Sequence, residues 1–176
     1  INEYNEQRKD IDKQMTEEAN LIVSRLETQK HNSSIVLYDE GWKKGVIGIV
    51  ASRLTEIYFR PTVVLTRDGD LATGSARSVT GFDVYSAIKS CRDLLINFGG
   101  HTYACGLTMK WENVKEFRDR FHQYVAEHIA PEQTEAMLNI DAMIDFKDIT
   151  KQLHADLKKF SPFGPCNSKP VFCTQN

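Results

Sequence analysis

Residues 35–67, IVLYDEGWKKGVIGIVASRLTEIYFRPTVVLTR, carry the clearest fold signal in this chain. The short apolar run at 35–39 predicts a buried strand, and residues 45–59 are apolar on nearly every side, which predicts a buried helix. Pro61 then opens a second predicted strand over 61–67. A strand, a helix and a strand in this order predict a βαβ unit within an α/β fold.

Further predicted elements flank this unit on both sides. Residues 3–30 predict one long amphipathic helix, because Ile11, Met15, Ala19 and Ile22 recur at helical spacing with charged residues between them. The remaining predicted elements are, in chain order, a strand at 71–78, a helix at 83–98 that is capped by Asp83 and ends at Gly99 and Gly100, a strand at 106–111, a helix from Asn113 to Pro131, a half-exposed strand at 138–145 and a helix at 148–160.

Composition excludes several classes of protein. The chain has 176 residues, of which 41% are hydrophobic and 26% charged, so it can bury a core without disulfides. No apolar run approaches the roughly 20 residues that span a bilayer, so we expect no membrane contact and a cytoplasmic location. The four cysteines show no C-x-x-C spacing, which favours reduced, structural thiols. The chain starts without a methionine, so we expect it to be part of a longer protein.

Charge is unevenly distributed along the chain. The net charge of −2 argues against binding nucleic acid through bulk charge. Residues 41–110, however, contain nine Lys or Arg residues against five Asp or Glu residues. This middle third therefore favours an anion, and it contains three segments with residues suited to bind one.

The first segment is GWKKGVIG, residues 41–48. Lys43 and Lys44 precede the predicted buried helix, and Gly45 and Gly48 would let an anion approach the free N–H groups of its first turn. The alternative is structural: the glycines allow the helix to pack tightly on a strand, and the lysines are simply solvated.

The second segment is GSARS, residues 74–78. Strand alternation places Ser75 and Arg77 on one face, where a hydroxyl and a guanidinium could both bind phosphate. The alternative is an exposed strand end with Arg77 in a surface salt bridge.

The third segment is GGHTYACG, residues 99–106. Gly99 and Gly100 free the backbone just before His101, which could donate a hydrogen bond to phosphate or protonate a leaving group. The alternative is a structural histidine. Tyr103 could stack on a base, but we expect it in the core.

Motifs for metal-dependent or nucleophilic hydrolysis are missing from the sequence. It shows no cluster of Asp and His residues, no G-x-S-x-G elbow and no G-x-x-x-x-G-K-[ST] phosphate loop. The residues alone therefore predict an α/β domain with a phosphate-sized anion site.

Four motifs together resemble a known family. WKKGVIGIVASRL, TGSARSVTGFDVYSAI, NFGGHTYACGLTM and PFGPCNSKPVF, in this order, are similar to the C-terminal part of RecJ-type exonucleases, the bacterial single-strand-specific 5′→3′ exonucleases of the DHH phosphoesterase superfamily. The resemblance implies a connector helix at 1–30, a DHH-associated domain with a mixed sheet flanked by helices at 31–145, and a helix and linker at 146–176 that lead into an OB-type nucleic-acid-binding domain.

The resemblance also implies a function in DNA repair and recombination. The catalytic DHH domain, which binds Mn²⁺ or Mg²⁺ in the family, would lie outside this chain, so we expect this part to bind no metal and to be inactive alone. Its partner would be single-stranded DNA, with repair or recombination proteins as further partners. The residues carried over are Ser75, Arg77 and Ser78 for the DNA phosphates, and Gly99, Gly100 and His101 for the scissile phosphate.

Two positions depart from the family pattern. Lys43 stands where the family often has His, and Cys105 where it often has Ala. Lysine keeps the positive charge but does not transfer protons near neutral pH, so Lys43 is expected to bind and not to catalyse. Two other functions remain open: a DHH phosphoesterase acting on short oligonucleotides or nucleotides, and a non-enzymatic nucleic-acid-binding module.

Overall fold

The computed structural model describes residues 2–27, 33–136, 138–164 and 166–175. The chain divides into two compact units, residues 1–135 and 136–176. This division comes earlier than the predicted boundary after residue 145. The helices of the first unit are α1 (Asn2–Glu27), α2 (Ile47–Tyr58), α3 (Val84–Ser90) and α4 (Val114–His128). Its strands are β1 (Ile35–Asp39), β2 (Thr62–Asp68), β3 (Leu71–Arg77), β4 (Leu95–His101) and β5 (Ala104–Lys110).

The first unit is built on a five-stranded mixed sheet in the order β1-β2-β3-β5-β4. β1 and β2 are parallel and joined through α2, which confirms the predicted βαβ unit. The other neighbouring strands are antiparallel, and β4 forms one edge. The predicted α/β class with a mixed sheet flanked by helices is therefore confirmed.

Helices cover the two faces of the sheet to different extents. On one face, α3 and α4 bury a continuous core that includes Phe117 and Phe121. On the other face, α1 and α2 form a second core against β1 and β2, and α2 also packs on β3. The second face of β5 and β4 lies beyond α2, and its side chains on these strands are exposed or half-buried.

The predicted helix at 83–98 is wrong in its second half. Asp83 caps α3 as predicted, since its carboxylate accepts from the backbone N–H groups of Tyr85 and Ser86. The helix ends at Ser90, and residues 95–101 form β4 instead. Leu95 and Phe98 pack on the core from this strand, and cross-strand pairing with β5 outweighs the local helical pattern.

Other predicted boundaries shift by a few residues. α1 ends at Glu27, and residues 28–30 of the predicted helix lie outside the described residues. β5 begins at Ala104, two positions before the predicted strand. All four cysteines are free, and burial raises the pKa of the Cys91 and Cys105 thiols, which therefore pack as neutral groups.

The second unit contains short elements. β6 (Ala142–Met143) and β7 (Phe172–Cys173) form a parallel pair, and α5 spans Lys151–Lys158. The strand predicted at 138–145 and the helix predicted at 148–160 are thus both shorter in the structure. Across the described residues, no helix combines the length and the apolar character needed to cross a membrane.

Candidate nucleic-acid interface

Two of the three predicted anion-binding segments meet on the second face of the sheet, beyond α2. Because residues paired across strands point to the same face, the register places nine residues in three rows on that face. We call this surface the open face. Its rows are Arg77, Ala104 and His101, then Ser75, Gly106 and Gly99, then Thr73, Thr108 and Asn97. None of the nine is buried.

The middle strand of the open face carries only small side chains. Ala104, Gly106 and Thr108 of β5 lie between the larger polar side chains of β3 and β4. Since neighbouring strands are separated by roughly 4.8 Å, the Cα atoms of Arg77 and His101 lie about 10 Å apart across Ala104. A groove of about 350 Å³ lies over the Gly106 and Thr108 part of this strip, and Lys44 contributes to its lining. An extended backbone can therefore approach the sheet closely here.

Arg77 is held in place by three hydrogen bonds. Its Nη1 donates to Ser75 Oγ at 2.7 Å and to the Ala76 carbonyl oxygen at 2.8 Å, and its Nε donates to Ser52 Oγ at 3.1 Å. Within the described ranges no carboxylate forms an ion pair with Arg77, so the alternative of a surface salt bridge is not observed. The guanidinium thus presents an oriented positive charge that none of the described carboxylates neutralises.

Two α2 residues shape the space around Arg77: Gly48, which the sequence indicated only as access for an anion, and Ser52, which was not among the predicted site residues. A Cβ atom on Gly48 would lie 3.0 Å from Arg77 Nη2 and 3.2 Å from Ser75 Oγ, so the missing side chain makes room for the guanidinium. Ser52, one turn later, accepts from Arg77 and donates to the Gly48 carbonyl oxygen. The spacing of four between Gly48 and Ser52 was the available signal, because it places both on one helix face.

His101 lies at the β4 end of the row that begins with Arg77, and its hydrogen bond indicates which ring nitrogen carries the proton. Its Nδ1 accepts a hydrogen bond from the backbone N–H of Tyr103 at 3.3 Å, so the proton of the neutral ring lies on Nε2. The side chain is exposed. Tyr103, which we expected in the core, is 49% exposed in the turn between β4 and β5. The expectation failed because this residue lies outside the paired rows, where strand alternation no longer decides burial.

Gly99 and Gly100 differ in what surrounds them. Gly100 has φ +153, and a Cβ there would lie 2.1 Å from the Ala104 carbonyl oxygen, so glycine is required for β4 to pair with β5. At Gly99 an added Cβ meets no atom within 4 Å. Gly99 therefore keeps the open face flat without being needed for the fold.

The lysine segment lies before α2, and its Lys44 lines the groove. Lys44 Nζ is 3.7 Å from Asp68 Oδ2, with both side chains about two-thirds exposed, and Lys43 is exposed without an ion-pair partner in the part of the chain that the structure describes. Val46, the N-cap residue of α2, makes no side-chain capping hydrogen bond, and the first turn of α2 has no acidic residue. A Cβ atom added at Gly45 would meet no atom within 4 Å, so tight packing of α2 does not require glycine there. At Gly48 an added Cβ would crowd Arg77 and Ser75 of β3, so close packing of the helix on a strand does explain this glycine.

Ser78 makes different contacts from Ser75. Its hydroxyl donates to the Phe82 carbonyl oxygen at 2.7 Å, and its backbone N–H donates to the Tyr103 carbonyl oxygen at 3.0 Å. These bonds close the loop after β3. The Ser75 hydroxyl accepts from Arg77 and keeps its own hydrogen available to a ligand.

Metal-ligating residues do not cluster in the described parts of the chain. No group of three or more His, Cys, Asp or Glu residues there is placed to hold a metal ion. The Mn²⁺ or Mg²⁺ that the family resemblance implies therefore does not fit the residues of this chain that the structure describes.

Two protein families match this chain. The DHHA1 domain matches residues 18–127, and the RecJ OB domain matches residues 140–176. Among curated proteins, the chain is 35% identical over 178 residues to the single-stranded-DNA-specific exonuclease RecJ of Bacillus subtilis (strain 168), a match that covers 100% of this chain and 22% of that protein.

Solved structures agree with these matches. The crystal structure of RecJ in complex with Mg²⁺ from Thermus thermophilus matches with a TM-score of 0.81 and 26% identity, covering 96% of this chain and 25% of that chain. The complex with Mn²⁺ from the same organism matches with a TM-score of 0.80 and 27% identity, covering 97% and 24%. This chain thus spans about a quarter of the length of these three proteins. Both family matches, the identity to the Bacillus subtilis protein and the structural match show that the chain belongs to the DHHA1 domain family and is homologous to the C-terminal region of RecJ proteins.

Proposed function

We propose that this chain is the substrate-binding part of a single-strand-specific DNA exonuclease that hydrolyses phosphodiester bonds from the 5′ end, in the cytoplasm, during DNA repair and recombination. The observation that carries the proposal is the open face, where an unneutralised arginine, a serine hydroxyl and a histidine flank a strip of small residues. The name of the Bacillus subtilis relative supplies the substrate class.

The open face suits the sugar-phosphate backbone of an unpaired strand. Arg77 and the Ser75 hydroxyl, 2.7 Å apart, can donate to the same phosphate. The next phosphates can lie over Ala104, Gly106 and Gly99, where no large side chain obstructs them. Contacts of this type are independent of sequence and weaken with salt.

His101 is the residue that we propose acts at the scissile phosphate. Its Nε2–H faces away from the bond that holds Nδ1 and can donate to a phosphate oxygen or to the leaving oxygen. In the exonuclease that contains this chain, His101→Ala should lower kcat by about a hundredfold or more if the ring transfers a proton. His101→Gln, which retains a donor but transfers no proton, should then be equally slow. If His101→Gln restores the rate, the ring only binds the phosphate.

Divalent metal ions would be held by a catalytic domain outside this chain, where they would activate the attacking water. The support for this is that the Thermus thermophilus structures contain Mg²⁺ or Mn²⁺, whereas the described residues of this chain offer no donor cluster. The residues of this chain would bind and orient the strand.

Fluorescence anisotropy of a labelled single-stranded oligonucleotide over a salt series tests the binding function. We expect salt-sensitive binding that exceeds binding to a duplex of the same length. Arg77→Ala should weaken it about tenfold and reduce the slope of log K against log salt by about 0.7. Its matched control is Arg118→Ala, which removes the same charge from α4 on the opposite face of the sheet.

Each outcome decides the proposal. Loss of affinity in Arg77→Ala with retention in Arg118→Ala supports the open face as the DNA site. Equal losses in both variants would indicate nonspecific charge attraction and overturn it. Absence of binding by the unmodified chain would also overturn it, because these residues would then not suffice to hold a strand.

A further inference from the structure

The lysine segment is attached to the sheet through the residue that precedes it. Trp42 is 5% exposed and belongs to the core between α1, α2 and β1. Its carbonyl oxygen accepts a 2.6 Å hydrogen bond from the buried hydroxyl of Thr66 on β2. The backbone immediately before Lys43 is therefore held to the sheet.

The same residue is tied to α1. The indole Nε1 of Trp42 donates to Glu18 Oε2 at 3.2 Å, and the other oxygen of Glu18 accepts from Gln14 at 2.9 Å, which orients the carboxylate. The backbone N–H of Lys43 contacts Met15 Sδ at 3.5 Å, also on α1. Trp42 thus lies between α1 and the sheet, and the backbone of Lys43 contacts α1.

The contact between α1 and this segment is only partly packed. A groove of about 360 Å³ lies between them and is lined by residues that include Gln14, Glu18, Trp42 and Lys43. Because the groove leaves one side of the segment open, the polar contacts of Trp42 and Lys43 help to fix the orientation of the segment. The charged ends of Lys43 and Lys44 are themselves exposed, with one long ion pair between Lys44 and Asp68.

We propose that Glu18 and Trp42 are positioning residues, which hold the lysine segment so that Lys44 lines the groove of the open face with Lys43 beside it, and which thereby link α1 to DNA binding. The proposal rests on the proposed function. It adds α1, a helix that does not border the open face, to the parts of the chain that influence single-strand binding. Lys43 also transmits this position to α2, because its carbonyl oxygen accepts from the N–H groups of Val46 and Ile47.

A net-charge effect and a positioning effect predict opposite changes in DNA affinity when Glu18 is substituted. Removing a carboxylate from a DNA-binding chain strengthens binding if only the net charge matters. If Glu18 positions the lysines, Glu18→Ala should weaken single-strand binding about fivefold. The slope of log K against log salt should then fall by about 0.7 for each phosphate that the lysines no longer reach. Glu18→Gln, whose amide oxygen can still accept from the indole, should restore both. The matched control Glu17→Ala removes the same charge from an exposed neighbour, and it should leave binding unchanged or slightly stronger.

The tryptophan is tested in two backgrounds. Trp42→Phe keeps the ring but removes the N–H donor, and it should weaken binding by about the same factor as Glu18→Ala. In a Lys43→Ala/Lys44→Ala background, Trp42→Phe should have no further effect on affinity, because there is no longer a charge to position. Thermal unfolding of each variant distinguishes a loss of affinity through misplaced lysines from a general loss of structure. If Trp42→Phe does not fold, Glu18→Ala tests the positioning role instead, because the Glu18 side chain is exposed.

The two proposals fail in different ways. If Lys43→Ala/Lys44→Ala weakens binding while Glu18→Ala and Trp42→Phe do not, the positioning role is wrong and the DNA function stands. If Trp42→Phe weakens binding equally with and without the lysines, its role is structural and the proposal is also wrong. If neither Arg77→Ala nor the double lysine variant changes affinity, the proposed function fails and the positioning role fails with it.

Discussion

Gly99 and Gly100 are adjacent on β4, yet the structure predicts opposite consequences for changing them to alanine. At Gly100 the new Cβ would lie 2.1 Å from the Ala104 carbonyl oxygen and 2.6 Å from the Cys105 Cα, at φ +153. Both obstructing atoms belong to the backbone of β5, so no side-chain rotation can relieve the overlap. β4 is an edge strand and must separate locally from β5.

The magnitude follows from these contacts. An alanine in a sparsely populated backbone region costs about 1–3 kcal/mol, and each broken strand hydrogen bond adds about 1 kcal/mol. We therefore expect Gly100→Ala to lower the free energy of unfolding by at least about 2 kcal/mol, which lowers Tm by at least about 4 °C. At Gly99 nothing lies within 4 Å of an added Cβ, so Gly99→Ala should leave Tm unchanged or slightly higher.

The assay combines thermal unfolding by circular dichroism with single-strand binding by anisotropy. Gly99→Ala places a methyl group on the open face, so it should weaken binding several-fold at unchanged Tm. A Gly100→Ala variant with the Tm of the unmodified chain would refute the register of β4 against β5. A Gly99→Ala variant with full affinity would refute close approach of the DNA backbone at this point.

Three further changes have definite expected outcomes. Gly48→Ala should displace the Arg77 guanidinium by a few tenths of an ångström. Single-strand binding, measured by anisotropy, should weaken, and Tm, measured by thermal unfolding, should change little. Asp68→Asn removes the ion-pair partner of Lys44 and should raise affinity up to about fivefold at low salt but not at high salt, since exposed pairs contribute no more than about 1 kcal/mol. Burial, with Arg118 nearby, lowers the pKa of His122 to about 4 from its usual 6.5. The unfolded chain therefore takes up this proton at a higher pH than the folded chain, and stability should fall by no more than about 3 kcal/mol as the pH drops from 6.5 to 4. Urea unfolding at several pH values should show this fall in the unmodified chain and not in His122→Asn, and an equal fall in both would exclude His122 as its cause.

Local sequence patterns predict much of the first unit. Three elements form where their apolar patterns indicate: β1, α2 and β2. Each of them buries apolar side chains whose spacing along the chain already marks the buried face. Asp83 caps α3 for a similarly local reason, since its carboxylate reaches backbone N–H groups only two and three residues ahead.

Non-local contacts account for the failures. Residues 95–98 lack a clear strand pattern, and they form β4 because Leu95 and Phe98 find partners on β5. The register of that pairing, with a shift between Leu95 and Asn97, also decides that Asn97 lies beside Thr108 and His101 beside Ala104. A period read along the chain cannot contain this information.

The sequence by itself determined the chemical groups of the candidate site and their grouping in two short segments, since alternation along β3 places Ser75 beside Arg77 whatever the rest of the chain does. Only the tertiary structure decided that β5 lies between these segments with small side chains, and that Gly48 and Ser52 of α2 shape the space around the guanidinium. The physical reason is that alternation and helical periodicity are properties of the local backbone, whereas strand order and helix placement depend on burying apolar surface between distant parts of the chain.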